Sequence, residues 1–366
     1  MVFWNLGFLF QQFHVLTGGV STCDKPLTIL IWDLPFNHNL NLSGNICATR
    51  HRKEGCLLTS NRSLLDQADV VAFHHRELQP SRSSLPTAKK NSKQNWVWVS
   101  LESPTNTKDL AGWNRTFNWV MTYRRDSDIF IPYGVLVPHS SDKVDIPKKS
   151  RLVCWVISHY RRTQKRAQLY QELSRHVKID VYGKASKKPL CSACLLPTIS
   201  QYKFYLAFEN SIHQDYITEK LWRNALLAGT VPVVMGPPRA NYQRFIPADA
   251  FIHVEDFGSM QELATFLVTM NDSHYQSFFH WRKRYMVKLY DNWQERFCTI
   301  CDQGWLTELE YREDSHVHLH NLCFHMLGPL TKVSLQSALD CPTTGKNAYD
   351  TAIRYNRGRG NRGTGR

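Results

Sequence analysis

Between Asp215 and Gly236 the chain reads DYITEKLWRNALLAGTVPVVMG, with Tyr216, Glu219, Lys220 and Arg223 at spacings of i, i+3, i+4 and i+7. On a helix that begins near Asp215 these side chains share one face. An aromatic ring, a carboxylate and two cations then stand at a helix start, where free N–H groups and the macrodipole favour negative charge. Such a cluster can take an anion, and it can equally be a solvated, capped first turn. The residues beyond it are apolar, so the helix needs a core. Gly229 supplies a C-terminal stop, and residues 230–235 read as a short buried strand.

Other polar groups follow apolar runs in the same way. Glu102 comes directly after WVWVSL, Glu209 and Asn210 after KFYLAF, and His74, His75 and Glu77 belong to the end of ADVVAFHHRE. Further strands are expected over 27–34, 68–74, 96–101 and from Arg151 onwards, with helices over 164–175 and 259–270. Strands alternating with helices imply a parallel sheet of right-handed βαβ units. Sheets of that kind bind ligands at the carboxyl ends of their strands, where FENS and MGPP fall.

The chain has 366 residues, 42% hydrophobic and 21% charged, which is enough for two folded domains. The polar stretch 139–150 reads as a linker. This gives an atypical N-terminal segment (1–25), a first α/β domain (26–138), a second (151–301) and a tail (302–366) expected to be largely disordered. The formal charge of +14 suits anionic partners, such as nucleic acid, a membrane surface or sialylated and phosphorylated ligands. It suits a merely soluble basic surface too. The tail ends in RYNRGRGNRGTGR, a Gly/Arg composition that can fold on RNA, yet no basic-aromatic nucleic-acid module accompanies it. Residues 1–20 are aromatic-rich but interrupted by Asn5, Gln11, Gln12 and His14, short of a membrane span and without a basic leader.

Cysteine usage points to an oxidising compartment. Of ten cysteines, Cys191/Cys194 and Cys298/Cys301 are spaced CxxC, and Cys47/Cys56 form a third close pair. Zinc ligation by the CxxC sulfurs is the alternative. The sequons at Asn41, Asn61, Asn114 and Asn271 favour the secretory lumen and local disulfides in these pairs.

Finally, the run FYLAFENSIHQDYITEKLWRNALLAGTVPVVMGPPRANYQRFIPADAFIHVEDF resembles the signature of animal α-1,3-fucosyltransferases. The similarity extends over Pro26–Cys301 through FHHREL, ESP, NWVMTYRRDSDIFIPYG and CTIC. HHRELQ, LCSAC and GPPRANY are most similar to the leukocyte type, which fucosylates sialylated lactosamine. The resemblance implies a GT-B fold of two Rossmann-like domains with a cleft between them, and irregular extensions at both ends. It implies a GDP-fucose site in the second domain: Tyr216 and Glu219 on the nucleoside, Lys220 and Arg166 on the pyrophosphate, Glu209 and Asn210 at the donor cleft. Glu209 could instead be a structural acid bonding a helix terminus. Arg161, Arg162 and Lys165 crowd Arg166, and His159 stands where the family usually has asparagine. On the acceptor side it implies His74, His75 and Glu77. Glu102 of ESP is implied as the general base of an inverting displacement, which needs one base and no nucleophile pair.

The expected reaction moves fucose from GDP-β-L-fucose to the GlcNAc 3-hydroxyl of neutral or sialylated lactosamine on glycoproteins and glycolipids. No cofactor or metal is expected, because cations and a helix terminus stabilise the leaving GDP. Asp126–Asp128 (DSD) could hold Mn²⁺, but the neighbouring Arg124 and Arg125 favour ion pairing. By resemblance the protein is Golgi-lumenal and type II, although no anchor is evident. A catalytically inactive lectin-like relative and a basic nucleic-acid binder are the other readings.

Overall fold

The computed structural model describes residues 26–302, except 79–84, 88–92 and 108–109. The expected N-terminal segment 1–25 and the Gly/Arg tail lie outside the described residues. Two parallel sheets form the frame. The first has the order β2-β1-β3-β4-β5-β6, from β1 (Leu27–Ile31), β2 (Cys56–Thr59), β3 (Val70–His74), β4 (Asn95–Ser100), β5 (Trp119–Thr122) and β6 (Ile129–Phe130). After β7 (Gly134–Pro138) the second sheet follows, ordered β12-β11-β10-β8-β9. Its strands are β8 (Arg151–Val156), β9 (Ile179–Tyr182), β10 (Tyr202–Phe208), β11 (Val231–Met235) and β12 (Ile252–His253).

Each sheet is apolar on both faces, as parallel sheets require. Alternate residues of one strand serve different cores because side chains alternate along a strand. In the first sheet Ile29, Ile31, Val97 and Val99 face one cluster, while Leu30, Trp96 and Trp98 face another. In the second, Phe204, Leu206 and Val233 pack with Leu169 and Leu173 of helix Lys165–Leu173 and Leu263 and Leu267 of helix Met260–Thr269. Tyr205, Ala207 and Val234 turn the other way, onto Leu221, Trp222 and Leu226.

Residues 139–150 form neither helix nor strand, yet they are fastened. Lys149 Nζ donates to Ser200 O (2.8 Å) and Gly229 O (2.5 Å). Gly229 has φ +74°, and a Cβ there would come within 2.7 Å of the Pro147 ring, so both backbone and packing demand glycine.

The returning chain corrects the simple division at residue 301. β13 (Tyr285–Leu289) pairs antiparallel with β7. Helix Trp293–Cys298 then crosses to the first sheet, where Phe297, Cys298 and Ile300 are buried among its core residues. This crossing also corrects the expected disulfides. Cys298 bonds Cys47 and Cys301 bonds Cys56, with Cα separations of 5.4 and 5.8 Å. Only Cys191–Cys194 closes locally as expected. The reason is tertiary: the helix packs against the short helix Ile46–His51 and β2, which carry Cys47 and Cys56.

Candidate active site

In an open parallel sheet, ligands bind beyond the carboxyl ends of the strands where strand order reverses. The first sheet reverses between β1 and β3, the second between β8 and β10. The loops leaving β1 and β3 carry Phe36 and the His74–Glu77 cluster. Those leaving β8 and β10 carry His159, Glu209 and Asn210, and Arg166 stands in the first turn of the helix after β8.

Glu209 directly follows β10, with its side chain buried. It accepts from the Thr218 backbone N–H (2.8 Å), from Thr218 Oγ1 (3.0 Å) and from Lys220 Nζ (2.9 Å). Of the two readings of this residue, bonding a helix terminus is thus the one its contacts show. Burial raises its pKa, with the Lys220 ammonium pulling against that rise. Lys220 Nζ also meets Thr218 Oγ1 at 2.7 Å and Glu219 Oε1 at 3.2 Å. Burial alone would depress this ammonium, but Glu209 and Glu219 override it and hold its pKa above normal.

The helix does not begin near Asp215, which corrects the shared face proposed for Tyr216, Glu219, Lys220 and Arg223. It starts at Glu219 with Thr218 as N-cap, and from Trp222 to Leu227 it widens into a π turn. Asp215 adopts φ +61°. Its carboxylate accepts from Asn241 Nδ2 (2.6 Å) and Arg125 N (3.1 Å), while its own N–H donates to Asn241 Oδ1 (2.8 Å). Held this way, residues 215–218 are a loop. Tyr216 then lies in the core of the first sheet, edge-on to Tyr123 with ring centroids 5.0 Å apart. Its hydroxyl donates to Glu102 Oε2 at 3.3 Å.

Arg166, buried in the first turn of its helix, donates from Nη2 to His159 O (2.5 Å) and from Nε to Gln164 Oε1 (3.0 Å). Burial lowers its pKa and the nearby Glu209 opposes that. Arg161, Arg162 and Lys165 lie around it, all three exposed. Asn210 Oδ1 accepts from Ser211 Oγ (2.9 Å). Beside them, a Cβ at Gly236 of MGPP would approach Tyr242 Oη to 2.5 Å and Glu209 Cγ to 3.2 Å, so the backbone itself forms this wall.

At the first sheet's reversal, buried His74 Nδ1 pairs with Glu77 Oε2, and Glu77 Oε1 accepts the Phe36 N–H (2.9 Å). Burial would raise the Glu77 pKa, but the bond and charge of His74, the Phe36 N–H and the Arg76 charge together outweigh it and the value is lowered. Phe36, itself partly exposed, packs on His74 and carries the Arg76 guanidinium over its ring at 4.8 Å. His75 is separate from this pair and accepts from Trp98 Nε1 (3.1 Å). Glu102 is exposed two residues beyond β4, the next strand over. The structure thus gathers His74, Glu77 and Phe36 at one sheet, Arg166, Glu209 and Lys220 at the other, and joins them through the Glu102–Tyr216 contact.

The DSD carboxylates are engaged within the first sheet. Asp126 Oδ1 takes Arg124 Nε (2.6 Å) and Asp128 Oδ2 takes the Val120 N–H (2.7 Å). Cys47, Cys56 and Cys301 bring their sulfurs within 4.8 Å of one another, but as members of two disulfides. Sequon residues Asn41, Asn61 and Asn271 are exposed, and Asn114 is half-buried. Thr218, Asp215 and Asn241 were missed by sequence reasoning. Thr218 lay inside the TEK motif itself, while Asn241 is 26 residues from Asp215 and carried no signal.

Two parallel α/β sheets, with polar clusters beyond the carboxyl ends of both, define a GT-B-like fold. Residues 24–134 match the family "Fucosyltransferase, N-terminal", and residues 146–320 match "Glycosyltransferase family 10 (fucosyltransferase) C-term". The chain belongs to glycosyltransferase family 10, the fucosyltransferases. It is 56% identical over 286 residues to human α-(1,3)-fucosyltransferase 7, covering 78% of this chain and 83% of that one. The rat protein of the same name is 54% identical over 302 residues, covering 82% and 80%. The rat 4-galactosyl-N-acetylglucosaminide 3-α-L-fucosyltransferase 9 is 47% identical over 278 residues, covering 75% and 77%. A crystal structure of an α1,3-fucosyltransferase with GDP-fucose superposes with a TM-score of 0.53 at 16% identity, covering 80% of this chain and 93% of the other, a likeness of fold.

Proposed function

We propose that the protein is an inverting α-1,3-fucosyltransferase that moves fucose from GDP-β-L-fucose to the GlcNAc 3-hydroxyl of neutral or sialylated N-acetyllactosamine, forming sialyl Lewis x-type structures. The observation that carries this reading is the Glu102 carboxylate, held at the junction of the two sheets by the donor-side Tyr216 (3.3 Å). Glu102 takes the proton of the 3-hydroxyl as that oxygen bonds the fucose anomeric carbon. The bond from that carbon to the β-phosphate oxygen breaks on the opposite face, inverting β to α, and the electron pair leaves with GDP. Arg166 and Lys220 stabilise the departing charge, so the chemistry is carried by side chains without a cofactor.

Lys220 has three donors, and Glu209, Thr218 and Glu219 occupy them. Glu209 is buried, whereas the Glu219 side chain is 40% exposed. In the donor complex Glu219 turns to the ribose hydroxyls and frees one Lys220 N–H to donate to the pyrophosphate. Tyr216 lies beside the nucleoside, Asn210 lines the cleft, and His74, His75 and Glu77 hold the acceptor. The acceptors are glycans of glycoproteins and glycolipids in the Golgi lumen. Three disulfides and three exposed sequon asparagines support a lumenal setting. Among the described residues no helix is long and apolar enough to cross a membrane.

Labelled GDP-fucose supplied with sialylated or neutral lactosamine tests the reading, with linkage analysis of the product. Glu102→Gln should bind GDP normally and lose about 10²–10⁴ in turnover, the usual worth of a general base. A folded, donor-binding variant that turns over at the wild-type rate would remove Glu102 from this role.

A further inference from the structure

Glu102 lies outside any strand or helix, yet the loop that carries it is tied to the donor-side loop at several points. Ser211 Oγ donates to Ser103 Oγ at 2.7 Å, one residue beyond Glu102. Two residues further, the Thr105 hydroxyl and His213 Nε2 share a 2.7 Å hydrogen bond. Ser103 and His213 are fully buried, so water does not compete for these bonds. His213 is the informative member. Its Nδ1 is buried without a partner among the described residues, and so is Nη1 of the buried Arg124. Burial first, and the Arg124 charge second, push the imidazole pKa down to about 4. A protonated ring would place a second unpaired donor beside a guanidinium. The ring is therefore neutral, and among the described residues its one polar contact is the Thr105 hydroxyl.

We propose that His213 is a positioning residue for fucosyl transfer: through Thr105 it clasps the Glu102 loop to the donor-side loop and so fixes the base relative to the donor's anomeric carbon. A core histidine serving packing alone has no need of a directed bond across two sheets. Here that bond joins the loop of the base to the loop that continues into Tyr216, the residue touching the base itself. The inference rests on the reading of Glu102 as the base.

The test compares His213→Phe, Thr105→Val and Thr105→Ser in three measurements: GDP affinity, fucosyl transfer to lactosamine, and hydrolysis of GDP-fucose without acceptor. A base displaced by a fraction of an ångström to an ångström costs up to about 100-fold, so His213→Phe and Thr105→Val should each lose about 10- to 100-fold in kcat for transfer. GDP affinity should stay within about two-fold, because donor binding does not use Glu102, whereas donor hydrolysis, in which water takes the acceptor's place before the same base, should fall with transfer. Thr105→Ser, which keeps the hydroxyl, should retain wild-type transfer. The double variant should be about as slow as either single one, since both remove the same bond. The proposal is overturned if Thr105→Val transfers normally, or if transfer, hydrolysis and GDP affinity all fall together. If His213→Phe does not fold, the two Thr105 variants decide the question. Wild-type turnover by Glu102→Gln would overturn the assignment of the base instead, and that result is separate from the clasp.

Discussion

Replacing Lys220 by methionine should destabilise the protein before any donor is added. The substitution keeps the length of the side chain and removes its charge. What remains is the Glu209 carboxylate, 1% exposed, still bonded by Thr218 but without its counter-ion. Removing one partner of a buried pair costs about 3–5 kcal/mol, because the other charge is left uncompensated. At about 2–4 °C per kcal/mol for a domain of this size, Tm should fall by roughly 6–20 °C. Adding Glu209→Gln removes the stranded charge and should recover most of the loss. GDP present at about 100 times its Kd raises the stability of the wild type by about 2.7 kcal/mol. It should raise that of the Lys220 variant by less, since a phosphate contact is missing as well.

The pH dependence follows from the direction of each shift. Lys220 has a raised pKa, so its contribution is present at neutral pH and is lost only as pH climbs through that raised value. Glu209 has a pKa raised by burial, and Lys220 opposes the rise. Without Lys220 it rises further, and a raised carboxylate pKa favours folding only where the group is protonated. The deficit of Lys220→Met should therefore shrink as pH is lowered. Thermal unfolding across pH, with and without GDP, measures all of this. A Lys220→Met protein melting with the wild type, and unaffected by a further Glu209→Gln, would refute the buried-pair argument and leave Lys220 as a donor contact alone.

Non-reducing peptide mapping should find Cys47 joined to Cys298 and Cys56 to Cys301; local Cys47–Cys56 and Cys298–Cys301 links would contradict the packing of the last helix on the first sheet. Because Cys47–Cys298 closes a sequence separation of 251, its removal should cost about 5 kcal/mol at most by chain entropy, against about half that or less for a three-residue spacing. Lys149 has a pKa lowered to about 8 by burial, with Arg282 adding to it, so the wild type should gain stability relative to Lys149→Met as pH rises from 8 towards 10.5. An equal pH profile in the two proteins would show that Lys149 is not buried in solution. Fucosyl transfer should survive EDTA, since both carboxylates of the DSD triplet already serve the first sheet. Loss of activity restored by Mn²⁺, and not restored in Asp126→Asn, would reassign that triplet to a metal.

The sheets were legible because their strands are apolar runs bounded by polar loops, and burial on both faces leaves no other use for WVWVS or YKFYLAF. Gly229 was legible for a similar local reason, as a left-handed stop after an apolar helix. The start of that helix was not legible. Spacings of i, i+3 and i+4 at Tyr216, Glu219 and Lys220 look the same whether or not Asp215 is helical. What decides it is an Asn241 amide that lies far along the chain. The disulfides failed in the same way. CxxC spacing permits a local bond at both pairs, and only the return of helix Trp293–Cys298 to the first sheet determines that one pair is shared out. Glu209 was visible as a carboxylate at a strand end, but its contacts with Thr218 and Lys220 had to be seen to choose between its two readings.

The misread loop at 215–218 lies where the two sheets meet, and that has a functional logic. A base on one sheet and a donor site on the other can work together only if the sheets hold a fixed relation during the displacement. Local sequence cannot encode that relation, because its bonds join residues about a hundred positions apart, as in Glu102–Tyr216, Ser103–Ser211 and Arg125–Asp215. The β7–β13 pair and the two long-range disulfides tie the ends of the second half to the first from outside the cleft. With the ends fastened there, the bonds inside the cleft need only set the last ångström of alignment. Side-chain hydrogen bonds between loops suit that role, because each is weak enough to break when product must leave and directional enough to re-form in one geometry.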